Sequence, residues 1–235
     1  MKRVVITGAS SSIGRPLTRL LLQKGYTVLA HFRRENDELM SLKSGAGSRL
    51  QLLEGDFSTL EGIESFVSQL GNFMPVFAVI HTPSPEISLK PLVNVDWYEY
   101  EHHLNIQVRS LQQIVNKTIK PMKSSGVGYV ISIGSDIVTS DVPPKGYTAY
   151  AVAKAALSQF LRCLDAEFGE NGINTHQLHP TMFRSPLLAQ LPEYVIEQAL
   201  LKSEYDMVSK PQEKIAWVVA ELLAGKVSRQ HEVQI

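Results

Sequence analysis

The sequence predicts an α/β chain, a doubly wound parallel β-sheet with helices on both faces. Two observations carry this expectation. Short β-rich runs alternate with longer stretches of helical periodicity along the chain, and such alternation needs crossover connections that bury a parallel sheet between helical layers. The first β run also passes through a glycine-containing turn directly into a helix, Thr7-Gly-Ala-Ser-Ser-Ser-Ile-Gly14.

Arg3–Ile6 reads as a buried strand ending at Thr7-Gly8. From Ile13, apolar residues recur at Leu17, Leu20 and Leu21, one face of a helix that Gly25 stops. Thr27–His31 reads as the second strand and Leu50–Glu54 as the third, with Ile63–Leu70 part of the helix after it. Val76–His81 is the fourth strand, Asp96–Lys123 a long and mostly helical stretch, and Val127–Ile133 the fifth strand. Tyr147–Phe168 is a second long helix, ended near Gly169; Ile173–Leu178 is the sixth strand. Pro211–Ala224 is the last clear helix, and Glu232–Ile235 a short final strand. Pro186–Lys210 departs from the repeat and reads as one or two helices inserted over one end of the sheet. No linker-like stretch divides the chain, so residues 1–235 are expected to form one domain.

The 235 residues carry 23 basic and 23 acidic side chains, which gives no electrostatic case for nucleic acid or an anionic membrane as partner. At 44% hydrophobic and 20% charged, the composition is that of an ordinary globular protein. The lone Cys163 excludes an internal disulfide and a multi-cysteine metal site. Apolar runs such as Met74–Ile80 fall far short of the roughly 18 residues a spanning helix needs. Lys2 and Arg3 precede an apolar segment that breaks at Thr7-Gly8, unlike a signal peptide. A cytoplasmic protein acting on a small molecule, with no metal, is expected.

The turn between first strand and first helix suits a dinucleotide. Gly8 permits a tight turn, Gly14 lets helix and strand pack closely, and the start of the helix offers free N–H groups and a positive dipole end to a phosphate. Ser10, Ser11 and Ser12 add hydroxyl donors, with Ile13 leading into the helix. Tyr150 and Lys154, four apart on a predicted helix, lie on one face. A cation about 4 Å from the phenol at an effective dielectric near 20 supplies on the order of 4 kcal/mol, the energy needed to bring a tyrosine from about 10 to near neutrality.

With these pieces in order, the chain resembles the short-chain dehydrogenase/reductase family over nearly its full length. Thr7–Gly14 is similar to the family's T-G-x-x-x-G-x-G, and Tyr150-Ala-Val-Ala-Lys154 to its Y-x-x-x-K. Asp56, followed by Phe57, resembles the aspartate that contacts adenine; Asn105 matches the helix asparagine; Ser135 follows the fifth strand. Pro180-Thr-Met-Phe-Arg-Ser185 stands where the family has P-G-x-x-x-T. The resemblance implies a Rossmann-type fold, a nicotinamide cofactor, and Asn105, Ser135, Tyr150 and Lys154 as the catalytic set. Pro180, Thr181 and Ser185 join the cofactor-binding residues, and a homodimer or homotetramer is the expected assembly. Three departures stand out: Ser12 replaces the middle glycine of the turn, His81-Thr-Pro-Ser84 replaces N-N-A-G, and Thr181 replaces a glycine.

The cofactor expected is NADP(H). In the family's register Phe32 stands where an NAD site needs a carboxylate for the ribose 2′-hydroxyl, and Arg33 and Arg34 follow at once. A guanidinium pairs with a 2′-phosphate that a carboxylate would repel. Tyr150 is then general acid in reduction and general base in oxidation. Lys154, joined by the positive nicotinamide of the oxidised cofactor, favours the phenolate, and Ser135 polarises the substrate carbonyl; the resemblance further implies that Lys154 holds the nicotinamide ribose and that Asn105 holds a water linking Lys154 to a proton relay. The spacing from Ser135 to Tyr150 is longer than usual among relatives, which an insertion in Asp141–Gly146 explains; Ser132 and Asp136 are rival assignments.

The expected function is therefore reduction of a ketone, aldehyde or ketoacyl-type carbonyl by NADPH. The alternatives are a catalytically silent NADP(H)-binding sensor and a pteridine-reductase-like enzyme. Pro186–Lys210 is expected to close over the substrate, with Leu187, Leu188, Leu191 and Tyr194 lining an apolar pocket or packing on the sheet. His102 and His103, adjacent on a helix, cannot chelate together and read as surface residues; His179 reads as facing the site without a catalytic role. Trp97, Tyr98 and Tyr100 read as packing or subunit contacts.

Overall fold

A computed structural model describes residues 1–201, 210–226 and 232–234. Its strands are β1 (Arg3–Thr7), β2 (Thr27–Phe32), β3 (Leu50–Glu54), β4 (Ala78–His81), β5 (Gly128–Ile133), β6 (Ile173–His179) and β7 (Glu232–Gln234). They form one parallel sheet in the order β3-β2-β1-β4-β5-β6-β7. The order reverses between β1 and β4, so the connections leave these two strands in opposite directions and open a crevice at their carboxyl ends. This is the doubly wound sheet that the sequence predicts.

The strands are apolar on both faces because both are covered. One face, through Ile6, Ile80 and Ile131, packs on α1 (Gly14–Gln23) and, later in the chain, on Ile215 and Val219 of the helix Pro211–Leu223. The other, through Val5, Val79 and Val130, packs on α3 (Leu60–Gly71), where Ile63, Phe66 and Leu70 are buried, and on Ile114 and Leu157. Ile114 and Leu157 belong to the two long helices: the stretch from Trp97 to Ser124 and the helix Thr148–Phe168.

Two local features escape the sequence reading. A helix, α2 (Asp37–Ala46), fills the β2–β3 connection. Among its residues only Leu39 is fully buried, so its periodicity is faint; its signal is Asn36, whose side chain accepts from the Leu39 N–H, followed by the acidic first turn Asp37-Glu38. The long helical stretch is also not continuous. It comprises α4 (Trp97–Leu104), a π-turn at Asn105–Arg109, and α5 (Ser110–Ser124). Such wide turns collect at functional sites, and composition does not signal them. After these come α6 (Thr148–Phe168), α7 (Glu193–Leu200) and α8 (Pro211–Leu223). Residues 202–209 of the Pro186–Lys210 segment, and Ile235, lie outside the described residues. No helix among those described is long and apolar enough to cross a membrane.

Candidate active site

At the carboxyl ends of the strands lies one open cavity of about 1070 Å³, at the upper end of the usual size for small-molecule sites (about 300–1,000 Å³). At its centre β1 runs into the Gly8–Gly14 turn. Gly8 has φ +70, and a Cβ there would stand 2.6 Å from Thr82 Oγ1. A Cβ on Gly14 would stand 2.2 Å from the Gly8 carbonyl oxygen. Both positions therefore require glycine, the first for its backbone and the second for helix–strand contact.

The turn is braced from three sides. The Gly8 N–H donates to His31 Nδ1 at 3.0 Å, and His31 Nε2 donates to the Gly55 carbonyl at 2.9 Å, so one imidazole clips β1 to the loop after β3. That ring lies flat on Phe57, with centroids 3.8 Å apart. Burial pushes His31 down to about 4, which keeps it the neutral acceptor that the Gly8 N–H needs. Ser11 Oγ accepts from the Gly14 N–H at 2.9 Å, capping α1. Thr82 Oγ1 donates to the Thr7 carbonyl at 2.8 Å and approaches the Gly8 carbonyl at 3.3 Å. His81-Thr-Pro-Ser84 thus braces the turn through a side chain, which is how this chain accommodates Pro83. Replacing Thr82 by Val keeps the shape and removes the donor; about 1–2 kcal/mol of unfolding free energy is expected to be lost, read from urea denaturation at neutral pH.

The turn fits a dinucleotide pyrophosphate. The backbone N–H groups of Ser10, Ser12 and Ile13 take no acceptor among the described residues, and all three residues line the cavity. Toward the β2 side the cavity is walled by Arg33, Asp56 and Phe57. Burial raises the Asp56 carboxyl, but bonds from the Ser58 N–H and hydroxyl, with the charge of Arg33, hold it below the usual carboxylate range. Arg15 also reaches the cavity, with its guanidinium paired to Glu38 at 2.9 Å. The sequence reading passed over it because it sits one residue beyond the motif.

On the other side of the turn, Tyr150 and Lys154 emerge from the first turns of α6, buried, with Ser135 opposite them at the end of β5. Lys154 Nζ donates to the Ile133 carbonyl at 2.8 Å and lies 5.6 Å from the Tyr150 ring centroid. The ammonium is therefore held by β5 rather than by the phenol. Burial pushes Tyr150 up to about 12, against the pull of a hydrogen bond with Ser135, and pushes Lys154 down to about 7. In the protein alone burial keeps the phenol protonated; the near-neutral tyrosine expected from the sequence also counts on the positive nicotinamide of the oxidised cofactor.

Ser135 accepts from the Ile137 N–H at 3.3 Å and donates to Asp136 Oδ1 at 3.1 Å. Both Ser135 and Asp136 line the cavity, whereas Ser132 is buried inside β5 and does not. Pro180, Thr181 and Ser185 also line it. Gly14, Arg34 and Asn105 do not. Gly14 is spent on packing, and Arg34 points to solvent. Asn105 opens the π-turn, its amide donating to the Ser58 carbonyl at 3.3 Å and its Oδ1 accepting from Arg109 at 3.4 Å.

Beyond Tyr150, a small apolar cluster closes the substrate end. Ile87, Tyr147, Leu188, Leu191 and Ile196 pack with the Tyr150 ring, and the Ile87 N–H donates to the Leu187 carbonyl at 2.9 Å. Of the residues expected there, Leu187 and Leu188 line the cavity, Leu191 packs behind them, and Tyr194 is 64% exposed. Trp97 and Tyr98 are exposed, Trp97 stacked on Tyr100 at 5.7 Å. His102 and His103 correct a reading. Both line the cavity, and His103 is buried beside Tyr150, because α4 packs on α6 rather than facing solvent all round. His179 is buried, its Nδ1 bonded to the Ser135 carbonyl at 2.9 Å, so it supports the serine loop from below.

Comparison with known proteins agrees with this fold. The family described as short chain dehydrogenase matches residues 2–195. A fatty acyl-CoA reductase of Mycobacterium tuberculosis is 25% identical over 207 residues, 86% of this chain and 70% of that protein. An oxidoreductase of Bacillus subtilis, YmfI, is 22% identical over 231 residues, 97% of this chain and 93% of its own. Among solved structures, a short chain dehydrogenase from Burkholderia cenocepacia in complex with NADP superposes with a TM-score of 0.85 at 20% identity, covering 100% of this chain and 96% of that one. A 3-ketoacyl-(acyl-carrier-protein) reductase from Brucella melitensis complexed with NADH gives 0.83 at 17% identity, with coverage of 100% and 96%.

Proposed function

The chain belongs to the short-chain dehydrogenase family of oxidoreductases, and from that premise we propose that it is an NADPH-dependent reductase of a ketone, aldehyde or ketoacyl-type carbonyl. One observation carries the reading: the Gly8–Gly14 turn stands between Arg33 on one side of the cavity and the Tyr150–Ser135–Lys154 group on the other. That is the layout a phosphorylated dinucleotide and a carbonyl need side by side.

The turn's free N–H groups and the α1 dipole hold the pyrophosphate. Asp56 and Phe57 hold the adenine, Arg33 pairs with the 2′-phosphate, and Lys154 holds the nicotinamide ribose. Pro180, Thr181 and Ser185 close the nicotinamide end. When bound, the cofactor supplies the hydride. Ser135 hydrogen-bonds the substrate oxygen as charge develops on it, and Tyr150 passes its phenolic proton to that oxygen, so that C=O becomes CH–OH. A phenol pushed up to about 12 carries its proton throughout the neutral range. The segment after Ser185, with the Leu187–Leu188 turn and α7, covers the substrate.

Following NADPH oxidation at 340 nm against a panel of ketones and aldehydes tests the whole reading. Turnover on at least one carbonyl is expected; tight NADPH binding with no turnover on any would favour the sensor alternative. The cofactor preference has its own test. Arg33→Asp is expected to weaken NADPH binding about 10- to 100-fold, the value of a charge-assisted pair plus new repulsion, and to leave NADH binding within about twofold. Equal loss for both cofactors in a fluorescence titration would remove Arg33 from the 2′-phosphate site.

A further inference from the structure

The substrate end of the cavity holds a buried imidazole that the proposed chemistry does not use. His103 is 2% exposed, lines the cavity, and presents its ring edge-on to Tyr150, with centroids 6.1 Å apart at 75°. One of its nitrogens is spoken for: the Gln107 amide, one helical turn on, donates to Nδ1 at 3.1 Å. That bond fixes the Nε2–H tautomer, and Nε2 makes no hydrogen bond to a described residue in a ring that lines the cavity. His103 therefore brings one N–H donor to the wall beside the proton-donating phenol.

Resting on the reductase reading above, we infer that His103 reads a second oxygen of the substrate, donating through Nε2 to an acceptor a few bonds from the carbonyl that Tyr150 protonates. The substrate class is then a ketone carrying a neighbouring ester, thioester or hydroxyl oxygen, rather than a plain hydrocarbon ketone. The surroundings favour a neutral donor over a cation. Burial pushes His103 down to about 4, and the charges of His102 and Lys154 act in the same direction against Glu99 alone. Glu99 is itself tied to Lys90 at 2.5 Å and to Ser88, so it does not compete for the imidazole. A site built to donate one hydrogen bond discriminates against a substrate lacking the acceptor, because the donor then stays desolvated and unpaired.

Ethyl 3-oxobutanoate and 2-heptanone are near-isosteric and differ in that acceptor. The wild type is expected to favour the ester in kcat/KM by about tenfold. His103→Phe keeps the ring and removes the donor; it is expected to lower kcat/KM for the ester about fivefold to tenfold, chiefly through KM, and to leave 2-heptanone within about twofold. His103→Gln, which restores a donor, is expected to recover part of the preference. Equal losses on both substrates, or none on the ester, would overturn the assignment while leaving the reductase reading intact. Ligand-observed NMR of ethyl 3-oxobutanoate with the NADP⁺-saturated protein separates the two claims without turnover. Binding lost in His103→Phe with no reduction of either ketone by the wild type would sink the reductase reading and keep His103 as the reader. Binding unchanged by the substitution would sink the inference.

Discussion

Replacing Tyr150 by Phe is expected to lower carbonyl reduction about a thousandfold and to leave NADPH binding within about twofold. The size follows from the value of a positioned general acid, about 10²- to 10⁴-fold. The selectivity follows from the packing. The Tyr150 ring is wedged among Ile87, Leu188, Leu191 and Ile196, and Phe keeps all of those contacts. Only the hydroxyl goes, with its bond to Ser135. Stability should stay within about 1 kcal/mol, because the ring packing is kept, Ser135 keeps its bond to Asp136, and one hydroxyl interaction is all that is lost. Single-turnover oxidation of pre-bound NADPH by the carbonyl, with a parallel fluorescence titration of the cofactor, checks both halves. A variant that still reduces carbonyls within tenfold of wild type would require another proton donor, with Asp136 the first residue to examine.

The sheet was legible because parallel strands buried on both faces leave continuous apolar runs. Leu50–Glu54 was placed to the residue, and the others to within a few positions. The turn was legible because glycine at 8 and 14 answers two separate steric demands that the structure displays. What stayed hidden has a common cause. Helix α2 buries little, so its pattern barely rises above that of a loop. His31 looks like an ordinary strand residue, and its double clip from Gly8 to Gly55 exists only once three segments meet. His103 was misread because helical spacing from His102 says how two rings diverge, not which of them meets α6. The Tyr150–Lys154 pair was found by spacing, but its electrostatics were not. Spacing supplies the Coulomb attraction and is silent about the desolvation that dominates here.

That desolvation predicts a marked sensitivity to acid. His31, His81 and His103 are all buried, with burial pushing them down to about 4, about 3 and about 4 from an ordinary 6.5. A depressed folded-state value means that the unfolded chain binds the proton first. Between pH 6.5 and about 4 unfolding therefore takes up as many as three protons, and stability falls as pH falls. Each proton contributes about 1.4 kcal/mol per pH unit, so the steepest slope is about 4 kcal/mol per unit. Against a total of about 5–15 kcal/mol, this predicts cooperative unfolding above pH 4. Above neutrality Lys154 acts with the same sign, since burial lowers it to about 7 and stability rises further toward 10. The carboxylates Asp56 and Glu99, held low by their partners, join only at the acid end. Urea denaturation at half-unit steps from pH 4.5 to 8 measures the slope directly, and His81→Asn, which removes one of the three titrating groups, is expected to reduce it by about one third. A slope below that of a single proton would mean that these imidazoles reach water in the native state, and that the clip on Gly8 opens far more readily than its geometry implies.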